Sequence, residues 1–212
     1  EDLFLFKKFF RETLGVNNID HRMGPYFGNS PIFGMTDSIV SLETKKSILV
    51  LGSNLVDEQP ILFLRVRKAW KKRGAKVIEA LPSNVNYEDL PNHVGEFASQ
   101  RISYNPGSEK ALANGIALAL LEIVDLKSSL SAETVALVEK AVAGQTLASA
   151  SATSGVSEQE LRNVAAAIVS GSFSILVGEL VTANADLENV IHALNNLATV
   201  ASGNLNVPVT KV

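Results

Sequence analysis

The sequence has no cysteine among its 212 residues. Disulfides, thiolate nucleophiles, cysteine-ligated zinc and iron–sulfur clusters all need sulfur, so this stretch of chain provides none of them. Charge of one sign is not in excess either, because 22 acidic and 19 basic residues give a net charge of −3. The cation excess that is typical of nucleic-acid-binding proteins is missing, and we expect no nucleic-acid partner.

Long apolar runs are also absent, although 46% of the residues are hydrophobic and a folded core is expected. The longest candidate, residues 116–124, is interrupted by Glu122, whereas a membrane-spanning helix needs about 20 apolar residues. The opening residues, Glu1 to Phe4, have neither the basic start nor the cleavage site of a signal peptide. We expect no insertion into a membrane, and we expect the chain to be an internal fragment of a longer protein.

Two short apolar runs, Ser47 to Gly52 and Phe173 to Gly178, each end in glycine. Such runs are typical of parallel strands that are covered on both faces by helices. An amphipathic helix over residues 61–73 and a strand over residues 75–81 follow the first run and complete a βαβ unit. With a further strand over residues 101–104, the pattern predicts an α/β fold with a doubly wound, mostly parallel sheet and helices on both faces.

Apolar residues at helical spacing predict the remaining helices, which cover residues 2–14, 109–126, 131–142, 161–170 and 187–201. The Ala/Ser-rich segment 144–154 is interpreted as a loop or a weak helix, and the residues after Gly203 as a polar tail. We divide the chain into residues 1–38, an N-terminal helix and irregular loop from an adjoining domain, and residues 39–212, a Rossmann-like α/β domain.

A doubly wound sheet binds ligands beyond the carboxyl ends of its strands, which places candidate sites after Leu51, Leu81 and Val177. The dinucleotide motif G-x-G-x-x-G, the P-loop motif and the G-x-S-x-G elbow of serine hydrolases are all missing at these positions. We therefore predict no catalytic residue in this stretch of chain.

Three other groups of residues admit a functional and a structural interpretation. Glu188 and His192 have the i,i+4 spacing of a metal-binding pair, but an exposed helical pair has the same spacing, and we predict no metal. Asp20, His21 and Arg22 could bind an anion or could hold their own loop. The third group is a basic helix face that could simply be solvated; it consists of Lys68, Lys71, Lys72 and Arg73.

Several ordered blocks resemble the molybdopterin oxidoreductase superfamily over nearly the whole chain. The block from Phe9 to Arg22 looks like a characteristic stretch of that superfamily, and its His-Arg pair after Asp20 is most similar to the large iron–sulfur subunit of bacterial NADH-quinone oxidoreductase (respiratory complex I). The other similar blocks cover residues 48–54, 65–69, 74–78, 105–108, 155–157, 189–198 and 203–205. The resemblance implies the formate dehydrogenase/DMSO reductase-like central domain.

The sequence departs from that superfamily where catalytic members hold their cofactor. Met23-Gly24-Pro25 stands where they carry a Cys, selenocysteine or Ser ligand to molybdenum, and Ala80-Leu81-Pro82 replaces Asp-Pro-Arg. The segment from Gly178 to Ala183 replaces Gly-x-Gly-x-Thr-Gln and puts Glu179 near the expected pyrophosphate position. Gly52, Ser53, Asn54 and Gly178 are the residues that the resemblance assigns to a remnant pterin site.

The resemblance therefore implies a structural scaffold in the electron-transferring peripheral arm of complex I. It implies no cofactor in this fragment, iron–sulfur clusters elsewhere in the full chain, and other peripheral-arm subunits as partners, on the cytoplasmic side of the inner or plasma membrane. Whether a molybdopterin is retained stays open. Two alternatives also stay open: a fragment of an active molybdenum or tungsten enzyme of the formate dehydrogenase or nitrate reductase type, and a nucleotide-binding module at Gly52 to Asn54.

Overall fold

Strands and helices alternate along most of the chain in the computed structural model, which describes residues 2–19 and 34–208. Contacts between residues divide the chain into two units, residues 1–30 and residues 31–212.

The described part of the first unit is one helical segment. α1 spans Asp2–Lys8 and continues as a π-helical turn over Phe9–Thr13. Gly15 follows with φ +68°, the left-handed conformation that commonly ends a helix. The predicted helix over residues 2–14 is confirmed, and the wider last turn is an addition to it.

The second unit is built on a six-stranded sheet. Its strands are β1 (Gly34–Met35), β2 (Ser47–Leu51), β3 (Lys76–Pro82), β4 (Gln100–Tyr104), β5 (Phe173–Val177) and β6 (Asn204–Val207). The order across the sheet is β1-β6-β5-β2-β3-β4, and all neighbours run parallel except β1, which is antiparallel to β6. The mostly parallel sheet is as predicted.

Nine helices are described in this unit, with two 3₁₀ turns. The helices are α2 (Leu55–Glu58), α3 (Pro60–Arg73), α4 (Glu109–Leu121), α5 (Val124–Ser129), α6 (Ala132–Ala141), α7 (Leu147–Ser154), α8 (Glu158–Ile168), α9 (Glu179–Thr182) and α10 (Leu187–Val200). The 3₁₀ turns cover Ser41–Thr44 and Val94–Glu96. Across the two described ranges, none of the helices has the length and apolarity needed to cross a bilayer.

β2 and β5 are the central strands, and every residue of both is buried. They pair in parallel with Ser47 opposite Phe173 and Leu51 opposite Val177, so they end at the same level. From β2 the chain proceeds to β3 and β4 on one side, and later returns to place β5 and β6 on the other side. The loops that leave β2 and β5 therefore diverge at a topological switch point, where doubly wound sheets bind ligands.

Helices cover both faces of the sheet. Ile48 and Val50 of β2 belong to a buried cluster with Phe63 and Val66 of α3. Ser47, which points to the opposite face because side chains alternate along a strand, donates a hydrogen bond to the carbonyl oxygen of Ile168 in α8 at 3.4 Å. The continuous apolar sequence of β2 follows from this coverage on both sides.

The Ala/Ser-rich segment contains a regular helix, α7, rather than a loop. Thr146 and Ser149 form a capping box, in which each side chain accepts a hydrogen bond from the backbone N–H of the other. Small side chains also let α7 pack closely on α4, since a Cβ on Gly115 would lie 3.1 Å from the Cβ of Ala150. Residues that are too small to fill a core are thus suited to a close helix–helix contact.

The helix predicted over residues 109–126 is divided between α4 and α5. The backbone of Ile123 has φ −81° and ψ 105°, an extended conformation that interrupts the helix. Apolar residues keep helical spacing across the break, so the sequence pattern gives no sign of it.

The predicted polar tail contains an additional strand, β6. Its Asn206 side chain is fully buried and donates to Ser174 Oγ at 2.8 Å and to Asp37 Oδ2 at 3.0 Å. Asp37 also accepts from Ser174 Oγ at 2.8 Å and from Lys45 Nζ at 2.7 Å. Burial raises the pKa of Asp37, but these donors outweigh it and hold that pKa below its ordinary value. This polar network lets a strand with asparagines enter the sheet.

Candidate functional site

The loops that leave β2 and β5 meet at the switch point and bring together the four predicted site residues, Gly52, Ser53, Asn54 and Gly178. The N–H of Gly178 donates to the carbonyl oxygen of Leu51 at 2.9 Å, which continues the sheet pairing into the loop. The N–H of Leu180 donates to the carbonyl oxygen of Gly52 at 3.1 Å. The two loops are therefore bonded directly to each other.

Close packing of the loops explains the glycine at each strand end. A Cβ on Gly178 would lie 2.3 Å from Ser53 Cβ and 2.4 Å from the carbonyl oxygen of Gly52. Gly52 itself has φ +59°, and a Cβ there would lie 2.6 Å from Val181 Cγ2. Each glycine is required by the opposite loop, and together they leave little space between the loops.

Glu58, at the end of α2, binds both loops with one carboxylate. It accepts hydrogen bonds from Ser53 Oγ at 2.9 Å, from the N–H of Asn54 at 2.7 Å and from the N–H of Glu179 at 2.9 Å. Two of these donors precede Glu58 by a few residues, and the third follows it by 121 positions. The sequence analysis did not identify Glu58, because no local motif indicates a contact with Glu179.

Negative charge accumulates at the switch point. Asp57 is exposed and accepts from Asn54 Nδ2 at 2.5 Å, and the exposed Glu179 follows Gly178. Burial, followed by the charges of Glu58, Asp57 and Glu179, raises the pKa of Tyr87. Within residues 2–19 and 34–208, none of the three forms an ion pair with a lysine or arginine.

Tyr104, the last residue of β4, lies beneath the same loops and is fully buried. Its hydroxyl would lie 3.3 Å from a Cβ on Gly52 and has no hydrogen-bond partner among the described residues. Burial, followed by the nearby Glu109 carboxylate, raises the pKa of Tyr104, so the phenol stays protonated. Glu109 is itself buried and accepts from Asn184 Nδ2 at 2.5 Å. A neutral phenol beside a carboxylate adds no positive charge to the site.

The middle of β3 carries another buried carboxylate, Glu79. It accepts from Arg101 Nε at 3.0 Å, and Arg101 also pairs with Glu88 at 2.7 Å. In the described chain, Glu79 Oε1 and the Nδ1 of buried His93 have no hydrogen-bond partner. Arg101 thus already pairs with two carboxylates, which offset its positive charge.

The other sequence candidates that are described lie on α10 and α3, not in the loops after β2 and β5. His192 Nε2 and Glu188 Oε1 are 4.0 Å apart on an exposed face of α10, and the described residues contain no group of three or more potential metal ligands. Lys68 of the basic helix face pairs with Glu43 at 2.7 Å. Asp20 to Arg22 and Met23 to Pro25 lie outside the described residues.

The arrangement at the switch point does not fit an added phosphate or pyrophosphate. A phosphate-binding loop needs free N–H donors and a positive potential, and here the donors already bind the Glu58 carboxylate. An added anion would also approach Asp57 and Glu179, whose like charges repel it.

Comparison with known proteins identifies a family for this chain. The family model described as molybdopterin oxidoreductase matches residues 1–209.

Three relatives are similar in sequence to parts of this chain. The NADPH-Fe(3+) oxidoreductase subunit alpha of Geobacter sulfurreducens is 31% identical over 188 residues, which cover 84% of this chain and 21% of the relative. A subunit of the NADH-quinone oxidoreductase of Mycobacterium tuberculosis is 30% identical over 125 residues, 55% of this chain and 15% of the relative. The F420-dependent formate dehydrogenase subunit alpha of Methanocaldococcus jannaschii is 38% identical over 86 residues, 37% of this chain and 13% of the relative.

A solved structure has the same fold. Acetylene hydratase from Pelobacter acetylenicus superimposes with a TM-score of 0.60 over 77% of this chain and 24% of that chain, at 17% sequence identity. Matches to the three relatives span at most 21% of their length. This chain therefore corresponds to one part of much larger polypeptides.

Proposed function

The chain belongs to the molybdopterin oxidoreductase family, and we propose that it is a structural, non-catalytic domain of a larger electron-transferring oxidoreductase. The proposed type is the large iron–sulfur subunit of NADH-quinone oxidoreductase, in which this domain would be a scaffold of the peripheral arm. Its partners would be other subunits of that arm, and iron–sulfur clusters would lie elsewhere in the full polypeptide. The relatives include both an NADH-quinone oxidoreductase and a formate dehydrogenase, so they do not single out the complex I type.

One observation carries the proposal, namely the occupation of the switch-point donors by Glu58. The pterin cofactor of this family, in its nucleotide form, contains a pyrophosphate that needs such donors. Here the pyrophosphate would meet carboxylates in place of free N–H groups, and its desolvation would not be compensated. The described residues do not fit the cofactor, and we derive no chemical step through it.

Metal and pterin analysis of the full-length protein, purified from the cells that make it, tests the proposal. We expect much less than one molybdenum or tungsten atom per chain by inductively coupled plasma mass spectrometry, and no pterin fluorescence after oxidative extraction. Stoichiometric molybdenum together with an extracted pterin would refute the structural role. A known molybdenum enzyme processed in parallel controls for loss of metal during purification.

The second candidate is a domain of an active enzyme of the formate dehydrogenase type. The observation that favours it is the local similarity to the Methanocaldococcus jannaschii formate dehydrogenase, the highest identity among these three relatives. This candidate predicts formate-dependent reduction of a viologen dye by the full-length protein, with one molybdenum or tungsten atom per chain. The structural domain predicts neither.

A further inference from the structure

We propose that the carboxylate of Glu58 closes the switch point by occupying its anion-binding position, and that removing this carboxylate creates a binding site for pyrophosphate. The inference rests on the proposed structural role, because a domain without a cofactor can tolerate a permanent occupant there. It adds a gain of binding that the proposed function alone does not predict.

The carboxylate of Glu58 occupies the place and uses the donors of an anionic ligand. Three hydrogen-bond donors from two loops converge on its two oxygens within 2.7–2.9 Å. Two of these donors are backbone N–H groups, at Asn54 and Glu179, and the third is Ser53 Oγ. Backbone N–H groups from neighbouring loops, directed at one point, form the concave arrangement that binds anions in many proteins.

Glu58 differs from the two other carboxylates of the site. Asp57 is exposed and binds the Asn54 side chain, not the loop backbone. The side chain of Glu179 accepts no hydrogen bond within the described part of the chain, although its own N–H binds Glu58. Truncation of Glu179 therefore removes one negative charge from the same place without freeing any donor. It is the matched control for truncation of Glu58.

The experiment is a calorimetric titration of inorganic pyrophosphate into the full-length wild type and into its Glu58→Ala and Glu179→Ala variants at low salt. We expect Glu58→Ala to bind at least about tenfold more tightly than either of the others, the gain expected from one charge-assisted hydrogen bond. Amide NMR shifts on titration should be largest at Asn54 and Glu179. A parallel titration with ADP, which carries a pyrophosphate on a nucleoside, distinguishes free pyrophosphate from a nucleotide as the ligand that the opened site accepts.

Equal affinity in Glu58→Ala and Glu179→Ala would overturn the proposal, because the gain would then come from net charge alone. Tight binding by the wild type at Asn54 and Glu179 would also overturn it. If Glu58→Ala does not fold, the isosteric pair Glu58→Gln and Glu179→Gln decides. Tighter binding by Glu58→Gln supports the proposal, and equality overturns it.

The two proposals fail separately. Molybdenum and pterin in the full-length protein would refute the structural role, whatever the pyrophosphate titration gives. A lack of any gain in Glu58→Ala, in a protein without molybdenum, would refute the closing role of Glu58 and remove the argument from the occupied donors, and the structural role would then rest on the absence of molybdenum and pterin alone.

Discussion

Substitution of Gly178 by alanine should destabilise the protein strongly, although alanine adopts the local backbone conformation without strain (φ −99°, ψ −178°). The new Cβ would lie 2.3–2.5 Å from Ser53 Cβ, Ser53 Cα and the carbonyl oxygen of Gly52, and backbone atoms cannot rotate away. Overpacking of this kind costs about 1–3 kcal/mol. Separation of the loops would also weaken the bonds from the N–H groups of Leu180 and Glu179, at about 1 kcal/mol each.

The expected loss for Gly178→Ala is therefore about 3–5 kcal/mol in the free energy of unfolding. For a protein of this size the loss corresponds to a fall in Tm of roughly 6–20 °C. Thermal unfolding followed by circular dichroism and denaturant titration measures both quantities.

Gly144→Ala is the control, because Gly144 has φ +79° and no atom within 4 Å of the added Cβ. Its free energy of unfolding should fall by about 1–2 kcal/mol, from backbone strain alone. If Gly178→Ala loses no more than Gly144→Ala, the two loops do not hold each other at the strand ends, and the reasoning about the closed switch point fails with it.

Three further predictions concern buried or capping side chains. Asp37→Asn should lower the free energy of unfolding by about 2–4 kcal/mol, because it leaves the buried Lys45 ammonium without its carboxylate. Since the pKa of Asp37 is lowered in the folded state, the contribution of its carboxylate to the free energy of unfolding is complete above about pH 4 and disappears as the pH falls through the folded-state pKa. The free energy of unfolding measured at decreasing pH should show this loss in the wild type and not in Asp37→Asn. Tyr104→Phe should change stability by less than about 1 kcal/mol, because the hydroxyl has no partner among the described residues; denaturant titration that gave a loss above about 2 kcal/mol would contradict this. Ser157→Ala should lose about 1 kcal/mol by the same measurement, since it breaks the capping box with Glu160, whereas an unchanged Tm would mean that the cap is unimportant.

The sequence predicted the centre of the sheet well. β2 and β5 were identified with the correct first residue and with an end one residue late, at the glycine, because strands that are buried on both faces need continuous apolar runs, and such runs are visible without any knowledge of their neighbours. β6 was missed because its Asn204 and Asn206 look like a polar tail. Their hydrogen-bond partners are Lys45 and Asp37, which lie far away in the sequence.

The sequence predicted the position of the candidate site but not the hydrogen bonds and charges within it. The fold class and the strand-end glycines together located the switch point, and the family resemblance was confirmed. Glu58 was not predicted because its role arises from a contact with Glu179 that only the folded sheet creates. The cofactor-binding role of Gly52, Ser53, Asn54 and Gly178 stays a prediction.

The strand order also affects how the protein is made on the ribosome. β2 pairs on one side with β3, which is synthesised soon after it, but its other edge pairs with β5, which is synthesised much later. The two strands are separated by roughly 120 residues, or about 6–25 s at ordinary rates of translation. During this interval one edge of the apolar strand β2 is unpaired, and such edges recruit other chains. Nascent chains of this protein should therefore need chaperone protection until Phe173 to Val177 have emerged from the exit tunnel.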